Sequence, residues 1–313
     1  MLHNVLVTGG AGYIGSVFVE KLLQLEYTVH VLDNLYYDNQ SSLNHLMHYS
    51  NLHVHQGDAR KPHDIDPLLS KVDFIFPLAA LVGAPVCSRD PVSATSTNKD
   101  AIFHMLDKVS KNQVVIMPTT NSAYGSGDEN NFCTEESPLN PISLYAKDKV
   151  EVEKRLMNHQ NAISFRLATV FGMSPRMRID LLVNDFTHRA VHDGFVILFE
   201  GHFKRNYIHV RDVCKAFIHG INNFDIMNGH IYNVGLSDAN ISKFELCQRI
   251  QKYVPNFTFM EAPLHKDPDQ RNYIVSNAKI EATGFKPDFS LDRGILELIK
   301  GYQLVRNTRY GNM

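Results

Sequence analysis

Absent from the 313 residues is any apolar run of the about 20 residues that a membrane helix needs, although 44% of the chain is hydrophobic. Also missing is a basic amino-terminal region with a cleavage site. The opening MLHNVLVTGG runs straight into strand-like sequence, which argues against a secreted precursor. No lysine- or arginine-rich run occurs and the formal net charge is −2, so the chain lacks the electrostatic footprint that nucleic acid selects. Cysteine is scarce and scattered: Cys87, Cys133, Cys214 and Cys247 show neither a zinc spacing nor a disulfide framework. Histidine is plentiful, but the closest pair, His53 and His55, alternates along a strand-like stretch with no third ligand placed by spacing, so no metal is expected. There is no internal repeat and no low-complexity linker. These absences describe a reduced, cytosolic, globular chain, long enough for one large α/β domain or a domain plus a smaller lobe.

What is present is alternation. Strand-like runs fall at 4–8, 28–32, 52–55, 74–77, 114–117 and 162–166, with helical periodicity at 16–25 and between several of the others. Strands alternating with helices predict a parallel sheet covered on both faces, a doubly wound α/β fold. After about residue 172 the rhythm loosens: a helix is expected at 181–192, a strand at 231–234, and helices at 242–252 and 291–305. The expected division is a dinucleotide-binding domain over 1–175, with 205–240 returning to its sheet, and a smaller substrate lobe over most of 176–313.

The first strand leads into VTGGAGYIGS, in which Gly9, Gly12 and Gly15 are separated by two residues each and a helix follows. Glycine permits the tight turn, the approach of backbone amides to a pyrophosphate, and close packing of helix on strand. The spacing is a variant of the dinucleotide fingerprint. Asp33 closes the second strand, where a carboxylate accepts hydrogen bonds from an adenosine ribose; a 2′-phosphate there meets a repulsion of about 4 kcal/mol, which favours NAD over NADP. The alternative is that Asp33 only caps a loop. Asp58, in QGDAR just past the third strand, is placed to reach the adenine amino group.

At the end of the 114–117 strand lies PTTNSAYG, a hydroxyl-rich turn whose Thr119, Thr120, Asn121 and Ser122 are expected to face the cofactor cleft. Further on, LYAKDK sets Tyr145 and Lys149 on one helix face. A threonine that orients an alcohol, a tyrosine that removes its proton and a lysine that lowers the tyrosine pKa form an alcohol-oxidising set. Arginines suited to a diphosphate follow: Arg176 and Arg178 in SPRMR, Arg205 before NYIHVRD, and Arg271 in DPDQRNY.

These motifs in order, with PLAALVGAP, NKDA, FRLATVFG and ATGFKP, resemble the extended short-chain dehydrogenase/reductases that act on nucleotide sugars, through nearly the whole chain. The resemblance implies an NAD-binding Rossmann domain, a nucleotide-diphosphate sugar as substrate, and Thr120, Tyr145 and Lys149 as catalytic residues, with Lys149 also bonding the nicotinamide ribose. It implies that Tyr13, Ile14, Asn34, Ala59, Leu78, Ala79 and Ala80 line the cofactor, that Asn98 supports the site from the next helix, and that Asn121 and Ser122 meet the sugar. It also implies a homodimer or higher homo-oligomer through the helices near 98–108 and 143–157. Family members that dehydrate sugars carry an Asp-Glu pair directly after the threonine. Asn121 and Ser122 stand there instead and supply no carboxyl acid or base, which favours oxidation or epimerisation at C4 over dehydration.

Overall fold

The period-two pattern of the first strand sets the layering: Val5 and Val7 join the core on one side of the sheet and Leu6 the core on the other, and all three are fully buried. A strand buried on both faces needs cover on both, which crossover helices provide. The computed structural model describes residues 3–125, 132–262 and 271–305.

Along the chain, β1 (Asn4–Thr8), α1 (Tyr13–Gln24), β2 (Thr28–Asp33), β3 (Leu52–Gln56), α2 (Pro62–Leu69) and β4 (Phe74–Pro77) build the first half of the main sheet. There follow α3 (Ala84–Arg89), α4 (Pro91–Thr95), a π-helical turn at Ser96–Asp100, α5 (Ala101–Lys108) and β5 (Val114–Thr120). After β6 (Phe132–Cys133) come α6 (Leu144–Leu156), β7 (Ala162–Leu167), β8 (Thr169–Phe171), α7 (Leu182–His192), β9 (Phe195–Leu198) and β10 (Lys204–His209). The remainder is α8 (Val210–Asn222), α9 (Phe224–Met227), β11 (His230–Val234), β12 (Asn240–Ser242), α10 (Lys243–Gln251), β13 (Thr258–Glu261), β14 (Ile274–Val275), α11 (Ala278–Glu281) and α12 (Leu291–Tyr302).

The main sheet has seven strands in the order β3-β2-β1-β4-β5-β7-β11, and every pairing in it is parallel. This is the Rossmann-type doubly wound arrangement expected from the alternation. The strand order reverses between β1 and β4, and ligands of such sheets collect outside that crevice. One face buries Phe18 of α1 against Phe76 and Phe217, ring centroids 4.5 and 5.1 Å apart. The other packs Ile65, Ile102 and Val152, from α2, α5 and α6, on Ile75 and Val115.

Of the 205–240 stretch expected back in this sheet, only β11 arrives. β10 instead pairs with β8 and β12 in a separate three-stranded sheet, because the chain leaves the main sheet at Ala168, whose amide donates to the Val234 carbonyl at 2.9 Å. Two further pairs, β9 with β13 and β6 with β14, complete the carboxyl half. Residues 306–313, within the expected substrate lobe, lie outside the described residues. Among the described residues no helix is long and apolar enough to cross a membrane.

Candidate active site

β1 ends at Thr8, and Gly9 follows at φ +70° with its would-be Cβ 2.7 Å from the Ala79 nitrogen, a position only glycine can hold. A Cβ on Gly15 would stand 2.2 Å from the Gly9 oxygen, so α1 packs directly on the turn. The helix begins at Tyr13, three residues before the apolar periodicity shows, because Gly12 is its cap. That cap has no side chain, so the first amides of a 12-residue helix are left to a ligand in the cleft that Gly12, Tyr13 and Ile14 line. With the positive end of the helix dipole they fit the pyrophosphate of a dinucleotide. The Tyr13 ring turns inward, its hydroxyl donating to the Gly172 carbonyl at 2.7 Å.

The cleft has a volume of about 600 Å³ and runs along the carboxyl edge of the sheet. Asp33 lies in its wall, and its carboxylate accepts from the Ala11 amide at 3.0 Å and the Leu35 amide at 2.8 Å. The loop-capping role and the cleft position therefore coexist, since a carboxylate has about four acceptor sites and these contacts use two. Burial raises the Asp33 carboxyl above its ordinary range, while the two amides and the Arg176 charge draw it part of the way back. Asn34, Ala59, Leu78, Ala79 and Ala80 also line the cleft. Asp58 lines it too, but Arg60 grips its carboxylate, with Nε 3.0 Å from both oxygens and Nη2 2.5 Å from one, and holds the carboxyl below the usual range. Asn98 does not reach the cleft. From the π-helical turn it accepts from the Leu81 amide at 2.9 Å and donates to the Leu81 carbonyl at 2.8 Å, so it braces the wall from behind.

β5 continues past the expected end at 117, since Thr119 and Thr120 keep register with Arg166 and Leu167 of β7. Thr120 lies in the cleft wall, donating to Ser122 Oγ at 3.0 Å and accepting from the Ser122 amide at 3.1 Å. Asn121 is turned away: it is fully buried, lines no part of the cleft, and neither atom of its amide has a partner. The short turn after β5 points it into the interior, which corrects the expectation that it meets the sugar.

Ser143 caps α6, its Oγ accepting from the Ala146 amide at 3.2 Å, and this fixes the start of the helix that carries Tyr145 and Lys149 into the cleft. The Lys149 ammonium is 5.9 Å from the centre of the Tyr145 ring. Burial lowers Lys149 to about 8, so about 90% of it is charged at pH 7. Burial pushes the Tyr145 phenol up to about 12, and the cations drawing it down are Arg178 and Arg271. The sequence named lysine as that cation; the fold adds two arginines.

Arg176 and Arg178 come together with the cofactor-side residues. Arg176 lies over the Tyr37 ring at 4.7 Å and donates to the Met177 carbonyl at 2.7 Å, and Arg178 pairs with Asp180. Arg205 also lines the cleft and is buried, donating to the Lys204 carbonyl at 3.3 Å and lying 6.0 Å from the Tyr273 ring. Arg271 reaches Ser122 Oγ; the DPDQ before it lies outside the described residues. Sequence reasoning missed Tyr37 and Lys243, both of which line the cleft. A signal existed for Lys243: Ser242 and Glu245 form a capping box that fixes it as the first residue of α10. Its ammonium donates to the Phe199 carbonyl at 2.8 Å. Away from the cleft, His30 of β2 joins the His53 and His55 pair, with ring centroids 4.8 and 5.6 Å away. Among the described residues no group of three or more His, Cys, Asp or Glu side chains is placed to hold a metal ion.

Fold and cleft together define a class, the dinucleotide-dependent α/β enzymes whose ligands gather at the carboxyl ends of parallel strands. Within that class the chain belongs to the NAD dependent epimerase/dehydratase family, whose pattern matches residues 5–235, and NAD is the cofactor that goes with it. It is 28% identical to the low-salt glycan biosynthesis protein Agl12 of Haloferax volcanii, over 96% of this chain and 98% of that protein. It is 26% identical to a putative UDP-glucose 4-epimerase of Methanocaldococcus jannaschii, over 94% of this chain and 97% of the other. Its fold is similar to the crystal structure of UDP-glucuronic acid 4-epimerase from Bacillus cereus in complex with UDP-glucuronic acid and NAD, with a TM-score of 0.84 over 96% of this chain and 99% of that one, at 21% identity.

Proposed function

We propose that the protein oxidises a nucleotide-diphosphate sugar at C4, with GDP-mannoheptose as substrate and its 4-keto form as product, in the biosynthesis of a capsular or surface polysaccharide. The observation that carries the C4 chemistry is the convergence of Thr120, Tyr145 and Lys149 in one cleft that Arg178, Arg205 and Arg271 also line. Thr120 orients the C4 hydroxyl and Tyr145 takes its proton. NAD, when bound, supplies the hydride acceptor. A phenol near 12 costs about 7 kcal/mol to ionise at pH 7 with the pull of Arg178 and Arg271 already counted, so proton removal is assigned further positive charge from Lys149, whose ammonium lies 5.9 Å from the ring centre. Arg205 and Arg271, with Ser122, hold the diphosphate and sugar; the glycine turn, Asp33, Asn34, Asp58, Ala59 and Leu78 to Ala80 hold NAD.

The heptose assignment rests on likeness of sequence: PLAALVGAPVC, FRLATVFGMSPRMRIDLLVNDF, FKRNYIHVRDV and IVSNAKIEATGFKP together resemble a GDP-heptose 4-dehydrogenase. Similarity to a glycan biosynthesis protein agrees with a place in surface polysaccharide synthesis. In this reading residues 1–175 with β11 bind NAD, most of 176–313 binds the nucleotide sugar, and the chain works in the cytoplasm as a homodimer joined through α5 and α6.

A second reading, an NAD-dependent nucleotide-sugar 4-epimerase, is favoured by the similarity to a putative 4-epimerase and by the same catalytic set. A third, a non-catalytic NAD-binding protein, has no use for an intact Thr120, Tyr145 and Lys149. One experiment separates them. The purified protein is incubated with GDP-mannoheptose and with UDP-, GDP- and dTDP-hexoses while NADH absorbance is followed and products are resolved by NMR. NADH accumulating with a released 4-keto heptose supports the dehydrogenase; inversion at C4 without lasting NADH replaces it with the epimerase. No change with any sugar, and a Tyr145→Phe variant that behaves like the parent, leaves the binding protein.

A further inference from the structure

Directly beneath the cleft lies a cluster of buried ionisable side chains with no part in the roles assigned so far. Tyr145, Lys149 and Glu153 follow one another at intervals of four along α6 and so share a helix face. The first two reach the cleft, and Glu153, only 4% exposed, is turned toward the sheet. Its carboxylate accepts from Thr119 Oγ1 at 2.9 Å, from Ser164 Oγ at 2.8 Å, and from Arg166, with Nε at 3.1 Å to each oxygen and Nη2 at 2.6 Å. Arg166, 3% exposed, carries the network onward, since Nη1 donates to the Tyr124 hydroxyl at 3.0 Å and to the Glu135 carbonyl at 3.1 Å. The Tyr124 hydroxyl donates in turn to Asn233 Oδ1 of β11 at 2.7 Å.

One carboxylate thus joins the helix that presents Tyr145 to β5, whose next residue after Thr119 is Thr120, and through Arg166 to the turn that holds Ser122 and Tyr124. Stability alone does not account for such a cluster, because a buried ion pair is commonly matched or bettered by apolar side chains of similar volume. Its forked, two-oxygen geometry instead specifies a rotation and a height for α6. That matters where a displacement of about 1 Å costs on the order of 100-fold in rate.

We propose that Glu153 is a positioning residue: bound by Arg166, Thr119 and Ser164, it sets the rotation and height of α6 so that Tyr145 and Lys149 meet Thr120. The proposal rests on the C4-oxidation reading for its kinetic consequence but not for its structural one.

The test uses the NAD-loaded protein in three variants. Glu153→Gln keeps the shape and strands the Arg166 charge; Glu153→Leu with Arg166→Met replaces the pair by apolar groups; Arg155→Ala, on the same helix, removes a surface ion pair with Asp107 of α5 and a contact with the Phe103 ring. The expected result is a kcat reduced by about 10-fold or more in the first two, with KM and NAD affinity within about threefold of the parent. The thermal midpoint falls in Glu153→Gln and returns in the double variant, whereas kcat does not return. Recovery of kcat together with the midpoint overturns the proposal and leaves the pair a purely structural one. So does parental kcat in Glu153→Gln. Should Glu153→Gln fail to fold, the double variant and Glu153→Asp carry the comparison. Amide hydrogen exchange over 144–150 needs no substrate and separates the two readings: faster exchange in both Glu153 variants, but not in Arg155→Ala, supports positioning. If the parent turns over no nucleotide sugar, C4 oxidation falls and exchange alone decides; unchanged exchange then overturns the proposal.

Discussion

Arg271 donates through Nη1 to Ser122 Oγ, joining residues 149 positions apart that both line the cleft. Ser122 in turn accepts from Thr120, so a hydroxyl pair next to the tyrosine ends on a guanidinium. A sugar that enters beside Tyr145 meets this group. Arg271→Lys keeps the charge and loses the fork. The expected outcome is a KM for the nucleotide sugar raised about 10-fold, with NAD affinity unchanged, measured by initial rates and by titration of NAD into the free protein.

Arg176 stands apart from Arg271: it lies over Tyr37 and close enough to Asp33 to lower that carboxyl. Truncation of Arg176 to alanine therefore weakens NAD binding by about 1–2 kcal/mol, an expected five- to thirtyfold change in Kd, and leaves nucleotide-sugar binding near the parental value. Calorimetric titration with each ligand separately gives both numbers. Loss of sugar affinity with NAD affinity intact would move Arg176 to the substrate side.

Lys149, to which the proposed chemistry assigns a role, is held at a cost to folding. Its ordinary value of 10.5 falls to about 8 in the folded chain, chiefly through burial. Between those values the unfolded chain binds a proton that the folded chain does not, so this residue's contribution to stability falls as pH drops from about 10.5 to about 8 and is constant below. Lys149→Met is expected to raise stability by up to about 3 kcal/mol at pH 7, to confer no gain above pH 11, and to abolish turnover. Chemical denaturation at pH 7 and at high pH, beside an activity assay, checks all three.

His30 of β2 lies beside His53 and His55 of β3. Burial first, then the facing His53, His55 and Lys71, lower it from 6.5 to about 4. The unfolded chain takes up a proton near pH 6.5 that the folded chain resists, so stability is complete above that pH and drains away as pH falls toward about 4. His30→Gln is expected to flatten this loss. Thermal midpoints at pH 7.5 and pH 4.5 for parent and variant measure it, and an identical drop in both removes the histidine stack as its cause.

Much of the cleft was legible because its residues sit where local rules put them. A glycine turn between strand and helix, an acid at the end of the second strand, and a Tyr and Lys four apart on a helix are all features of short-range spacing. Asn121 shows the limit of that reasoning: its neighbour in sequence faces the cleft, but a single turn of backbone rotates it into the core. Asp58 lines the cleft as placed, but spacing did not name the Arg60 guanidinium that shares its carboxylate.

The sequence by itself determined the parallel sheet, the dinucleotide turn and the helix that carries Tyr145 and Lys149, because each follows from periodicity or from a residue type that only one backbone geometry admits. Tertiary structure alone decided the rest. It brought Arg271 to Ser122 and Arg178 toward Tyr145, laid Arg176 over Tyr37, sent β10 out of the main sheet, and closed Glu153 on Arg166. Those pairings join segments far apart in the chain, and side-chain charge acts through distances in space that spacing along a sequence does not contain.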